Sequence, residues 1–168
     1  MIIKVNEVEL YYKKEGNGAP IIMLHGNGED HHIFDALAEK LSEHYTLYMV
    51  DSRNHGKSGK TDTLSYDDMA HDIQDFISEL KLEKPHIIGF SDGAIIALIL
   101  AINHSDILGR IALLGVNLKP TDFTEENYTG LLEYYRENPD DPLIKLMLEQ
   151  PNIDIDATKN VSCKTLIV

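Results

Sequence analysis

Gly89-Phe90-Ser91-Asp92-Gly93 sets a serine midway between two glycines, each two residues away. The apolar stretch 86–88 comes before it and the apolar stretch 94–102 after it, so a strand, a tight turn and a helix are expected to meet at Ser91. A turn that tight strains the serine backbone and brings its flanks together, which leaves no room for side chains at Gly89 and Gly93. A helix that begins at the serine aims its first amides and the positive end of its dipole at any oxyanion formed there. These residue types serve attack by a serine hydroxyl on a carbonyl. G-x-S-x-G also arises by chance in loops, and the strand before it and helix after it are what favour the catalytic reading.

A matching set of backbone donors lies earlier. The apolar stretch 21–24 runs into His25-Gly26-Asn27-Gly28, where glycines let an N–H turn toward the serine. The Asn27 amide is the natural partner of the Asp92 amide in an oxyanion hole. His25 is expected to serve the structure of its loop, and the Asp92 side chain to cap the helix or line the pocket. A third loop, Asp51-Ser52-Arg53-Asn54-His55-Gly56-Lys57-Ser58, follows the apolar stretch 46–50.

Other chemistry-bearing residues have plainer readings. Glu29-Asp30-His31-His32 has the look of a metal cluster, yet no further ligands are spaced to complete a site, and acidic residues favour a helix start; no metal is expected. Asp62, Asp67, Asp68, Asp72, Asp75 and Glu79 read as the solvated face of one helix. Phe123, Tyr128, Tyr134 and Tyr135 read as packing between a cap and the core rather than as an acyl pocket. Cys163, the single cysteine, precedes a strand read as buried and is expected to be an inert apolar residue.

Regular elements must hold the three loops together. Residues 2–14 read as two antiparallel strands closed by the turn cluster 15–18, and the stretches 21–24, 46–50, 86–88 and 111–114 as strands buried on both faces. Phe34, Leu37, Ala38 and Leu41 give one helix with an apolar face. Met69, Ile73, Phe76, Ile77 and Leu80 give another, behind an N-cap at Ser65 with Asp68 three residues on. Strand and helix alternate, which predicts an α/β fold: a mostly parallel sheet with helices on both faces. From Asn117 to Asn160 the pattern turns to short helices, one capped by Thr124 and one begun by Asp141-Pro142, before 164–168 reads again as a core strand. One domain is expected, with a core over 1–116, a helical cap over 117–160 and a returning strand in 161–168.

Composition narrows the partners. A net charge of -13, from 28 acidic and 15 basic residues, is a poor match to a phosphate backbone, so nucleic acid is not expected as a partner. A lone cysteine and the absence of a basic-then-apolar leader fit a reducing, cytoplasmic setting. The apolar run Gly93 to Ile102 is ten residues long, about half of what a membrane span requires, so no membrane association is expected.

With three loops in this order and at these separations, the chain resembles the α/β-hydrolase fold superfamily. That superfamily commonly reads H-G-x-x, D-x-R-G-H-G-x-S and G-x-S-x-G at these places. Here Asn54 stands where glycine is usual, a mild departure because asparagine tolerates a left-handed backbone. The resemblance implies a serine hydrolase of the esterase kind, acting on a small acyl substrate without a cofactor. Ser91 would attack, Asn27 and Asp92 amides would hold the oxyanion, and a histidine and an acid would complete the machinery. His25, Gly26, Gly89, Gly93, Asp51, Arg53 and His55 would be structural near the site. In the superfamily the acid and the histidine follow later strands, positions beyond Val168, and Gly115-Val116-Asn117 offers no carboxylate at the alternative place for the acid. The chain therefore reads as the N-terminal portion of such a fold, truncated before its last strands, with the catalytic acid and histidine outside it. Two other readings remain. One is a non-catalytic binding or assembly module whose unfinished sheet edge pairs with a second copy. The other is a different chemistry at the same serine, such as C–C bond hydrolysis or perhydrolysis.

Overall fold

A computed structural model describes residues 1–168. The strands are β1 (Ile2–Val5), β2 (Val8–Gly16), β3 (Ala19–Leu24), β4 (Tyr45–Val50), β5 (His86–Phe90), β6 (Arg110–Leu114) and β7 (Lys164–Ile167). The helices are α1 (Asp35–Leu41), α2 (Tyr66–Glu79), α3 (Asp92–His104), α4 (Glu125–Glu137) and α5 (Pro142–Glu149). All seven strands join one sheet in the order β1-β2-β4-β3-β5-β6-β7. β1 pairs antiparallel with β2, and β2 antiparallel with β4; every other pairing is parallel. This is the α/β fold with a mostly parallel sheet that the alternation of strand and helix signals predicts.

The unbroken apolar runs of β3 and β4 follow from burial on both faces. Ile22, Leu24, Tyr48 and Val50 pack in the larger core with α2 and α3. Ile21, Met23, Leu47 and Met49 point the other way, against Phe34 and Ala38. Successive side chains alternate across a strand, so a strand covered on both sides needs an apolar residue at every position. α3 is buried from Asp92 to Ala101, which explains why it is apolar all round rather than on one stripe.

The helix starts lie where the capping residues stand. Ser65 Oγ accepts from Asp68 N, Thr124 Oγ1 from Asn127 N, and the Asp141 carboxylate from Leu143 N and Ile144 N. Residues 117–160 hold α4, α5 and short 3-10 turns without a strand. No α4 residue is buried, whereas α5 sends Leu146 into the larger core.

Three local expectations need correction. Asp72 does not lie on a solvated face: it is 1% exposed and paired with Arg53, and Asp62 stands before α2 rather than on it. Leu37 is 38% exposed, because the sheet face is covered by Phe34, in the 3-10 turn just before α1, and by Ala38 of α1. β7 is not buried: it pairs on one side with β6, and all four of its residues are exposed. No helix is long and apolar enough to cross a membrane.

Candidate active site

Three loops leave the C-terminal ends of β3, β4 and β5, where a parallel sheet presents its ligands. Ser91 joins β5 to α3 at φ 51°, ψ −114°, a conformation that side-chain-bearing residues avoid. The close approach expected of the flanking glycines is present. A Cβ on Gly89 would collide with the Gly93 carbonyl, and one on Gly93 with the Leu24 carbonyl of β3. A Cβ on Gly26 would meet Ser91 Cβ at 3.2 Å, so the loop after β3 passes directly over the serine. Ser91 N donates to Leu114 O at 2.8 Å, which fastens the turn to β6.

The amides of Asn27 and Asp92 donate to no group within the protein, and their side chains touch. Asn27 Nδ2 donates to Asp92 Oδ2 at 3.0 Å, so the two free amides come from residues held side by side next to Ser91. Asp92 is 2% exposed, and its carboxylate neither caps α3 nor faces solvent. Its other oxygen accepts from the Tyr66 hydroxyl at 2.8 Å. Burial raises the Asp92 pKa above the usual carboxylate value, against the pull of its two donors. Burial, with the charge of Asp92 beside it, pushes the Tyr66 hydroxyl far up as well.

The histidines divide by what their rings touch. His25 Nδ1 donates to Gly26 O at 2.8 Å within its own loop, and Nε2 accepts from Ser52 N at 3.0 Å, which joins that loop to the one after β4, so both nitrogens are engaged. Burial lowers its pKa to about 4, which keeps the ring neutral. His55 packs 5.0 Å from His25, ring centre to ring centre, and its Nδ1 donates to Arg53 O at 2.9 Å. Its Nε2 is buried without a partner.

Asp51 organises the loop after β4 without reaching Ser91. Its carboxylate accepts from His31 N, from His31 Nδ1 at 2.7 Å and from Lys57 N. A Cβ on Gly56 would collide with it. Asn54 takes φ 65°, the left-handed conformation that its side chain tolerates, and that side chain bonds both to Thr61 N and to Thr61 O. Arg53 is buried and donates from two guanidinium nitrogens to Asp72, at 2.7 and 2.6 Å. These hydrogen bonds hold the Arg53 pKa above its ordinary value.

Asp30, His31 and His32 bring potential ligand atoms within 4.8 Å of one another. His31 is committed to Asp51, and Asp30 caps the turn over 31–34 while accepting from His32 Nδ1. The trio therefore serves the start of that turn.

A sequence profile described as the alpha/beta hydrolase fold matches residues 19–142, which carry all three loops. The chain belongs to the alpha/beta hydrolase fold family. Esterase YbfF of Escherichia coli (strain K12) is 28% identical over 111 residues, 66% of this chain and 43% of that protein. The sn-1-specific diacylglycerol lipase ABHD11 of Danio rerio is 28% identical over 125 residues, 73% of this chain and 39% of that protein. A solved alpha/beta hydrolase from Nostoc sp PCC 7120 superposes with a TM-score of 0.72 at 26% identity, covering 82% of this chain and 50% of that one. The chain spans less than half the length of the curated relatives it matches.

Within this alpha/beta hydrolase fold, sequence reasoning missed two buried partners. Asp72 stands three residues after Met69 and four before Phe76, on the apolar stripe of α2, and that position was a readable sign of burial. Tyr66, the first residue of α2, gave no comparable sign. Its contact with Asp92 joins residues 26 positions apart.

Proposed function

We propose that this chain supplies the nucleophile and oxyanion hole of a serine hydrolase acting on carboxylic esters or related acyl compounds. Ser91 Oγ attacks the carbonyl carbon, and the Asn27 and Asp92 amides receive the oxygen as it gains charge. One observation carries the reading: a serine held at φ 51°, ψ −114° at the start of a thirteen-residue helix that is buried from Asp92 to Ala101, beside two uncommitted amides. Backbone strain of this kind costs about 1–3 kcal/mol and persists where function retains it. Esterase and lipase relatives point to the same acyl chemistry.

The Ser91 proton goes to a histidine oriented by an acid, and both are proposed to come from outside these 168 residues. Support for this comes from His25, whose two nitrogens are already engaged and whose ring resists protonation. The test uses p-nitrophenyl acetate, an ester activated enough to acylate a serine that lacks a strong base. Peptide mass spectrometry after brief exposure is expected to find acetyl on Ser91, and Ser91→Ala to remove it. Acetyl confined to lysines and the N-terminus would overturn the assignment of the nucleophile. Rapid fluorophosphonate labelling of Ser91 would overturn the external base and direct attention to His55 Nε2, the unpartnered ring nitrogen.

A second reading, assembly with another copy of this chain, is favoured by β7. Leu166 and Ile167 are 60% and 68% exposed on opposite faces of an edge strand whose outer backbone groups have no strand partner. Sedimentation is expected to show a dimer on this reading, and a strict monomer at all concentrations would remove it.

A further inference from the structure

Asp92 sits at the centre of a closed ring of hydrogen bonds that the chemistry of Ser91 leaves unused. Its Oδ2 accepts from Asn27 Nδ2 and its Oδ1 from the Tyr66 hydroxyl. Asn27 Nδ2 also donates to Leu143 O at 3.2 Å, in the first turn of α5. Tyr66 N donates to Gln150 Oε1 at 3.2 Å, at the residue that ends α5. One buried carboxylate therefore holds two residues, and each of those grips one end of the same helix.

From this geometry we propose that Asp92 is a positioning residue that couples the seat of α5 to the aim of the Asn27 amide. The role of that amide rests on the function proposed above; the coupling itself does not. An asparagine or aspartate side chain is joined to its own backbone by only two torsions. A hydrogen bond between the two side chains consequently fixes where both amides stand relative to each other. Asn27 has two amide protons on its side chain, and both are spent, one on Asp92 and one on α5. A shift of the N-terminal end of α5 must then either break a bond at Asn27 or carry the loop after β3 with it. Leu146 is the one fully buried residue of α5, and the hydrogen bonds from Asn27 and Tyr66 hold the ends of the helix on either side of it. Leu143 also lines a solvent-open groove of about 570 Å³ together with Asn54, Lys60 and the α4–α5 connection, so a molecule lodged there would press on the same joint.

Hydrogen exchange read by mass spectrometry tests the coupling on the chain as it stands. Tyr66→Phe removes one donor to Asp92 and leaves the ring's volume in place. Exchange is expected to quicken by about 2- to 10-fold, the effect of one lost hydrogen bond, both in α5 and in the 25–30 loop, where Gly26 N and Glu29 N are bonded in the native state. β3 and β4 are expected to keep their protection. Gln150→Ala, which touches only the far end of α5, is expected to quicken exchange in α5 and, through the ring, in the loop. Faster exchange confined to α5 or to the loop alone would overturn the coupling, as would a uniform rise across all strands. The positioning role is read separately. In Tyr66→Phe, the rate of Ser91 acylation by p-nitrophenyl acetate is expected to fall while the half-saturating ester concentration holds. Unchanged acylation beside coupled exchange would overturn the positioning role. Failure of the wild-type chain to acylate at Ser91 would instead refute the proposed function and leave the exchange result standing.

Discussion

Replacing Asp72 by asparagine isolates the buried ion pair that fixes the loop after β4. Arg53 and Asp72 are 4% and 1% exposed, and two guanidinium nitrogens reach the carboxylate at 2.7 and 2.6 Å. Asn6 Nδ2 adds a third bond at 3.1 Å. Asparagine keeps the shape but removes the charge, and it offers one acceptor where two were used. The Arg53 guanidinium then stays buried with only the half-exposed Asp68 carboxylate, 3.9 Å away, as counter-charge, and breaking a buried pair in this way costs about 3–5 kcal/mol. Against a total stability of roughly 5–15 kcal/mol for a domain, that is a large fraction. Unfolding entropy of about 2.1 cal/mol/K per residue, over 168 residues, converts the loss to a fall in Tm of roughly 10 °C. Urea denaturation followed by circular dichroism gives the free energy, and a thermal scan gives Tm. The double variant Arg53→Met, Asp72→Leu is expected to recover most of the loss, because a buried pair exchanged for apolar groups of similar size is close to neutral. A cost below about 1 kcal/mol for Asp72→Asn, or a double variant less stable than the single one, would refute the view that desolvated charge dominates here.

His25 supplies a pH dependence. Its folded pKa of about 4 lies below the ordinary 6.5, so the unfolded chain binds the proton more readily. The stability linked to this ring is complete above about pH 6.5 and drains away toward pH 4, by roughly 3 kcal/mol in total. Urea midpoints at pH 7 and pH 4.5 are expected to differ more in the wild-type chain than in His25→Gln, and equal differences would exclude His25 as the source. Ser91→Gly relieves the backbone strain at φ 51°, ψ −114°. It is expected to gain about 1 kcal/mol in urea denaturation while losing all acylation at position 91. A loss of stability in that variant would mean that Ser91 is not strained.

Much of the fold was legible because burial writes itself into residue type. Ile21 to Leu24 must be apolar at each position when cores lie on both faces of β3. The requirement for glycine at positions 89 and 93 likewise reads directly as a turn too tight for side chains. Asn54 was legible as a left-handed residue for a similar local reason. The edge position of β7 agrees with the expectation of an unfinished sheet, whereas the exposure of its side chains was not legible, because Lys164-Thr165-Leu166-Ile167 has a core strand's composition. Aspartates along α2 were grouped by charge, although the helical period set Asp72 on the stripe that faces inward.

The sequence by itself determined the order of strands and helices, the caps at Ser65, Thr124 and Asp141, and the elbow at Ser91, since each depends on neighbours within a few residues. Tertiary structure alone decided what the polar side chains do. Asp92 meets Tyr66 and Asn27, Arg53 meets Asp72, and Asp51 meets His31 across 19 to 65 residues of chain. A buried charge or amide is stable only beside a partner, and the chain's path through space, which no local pattern encodes, selects that partner.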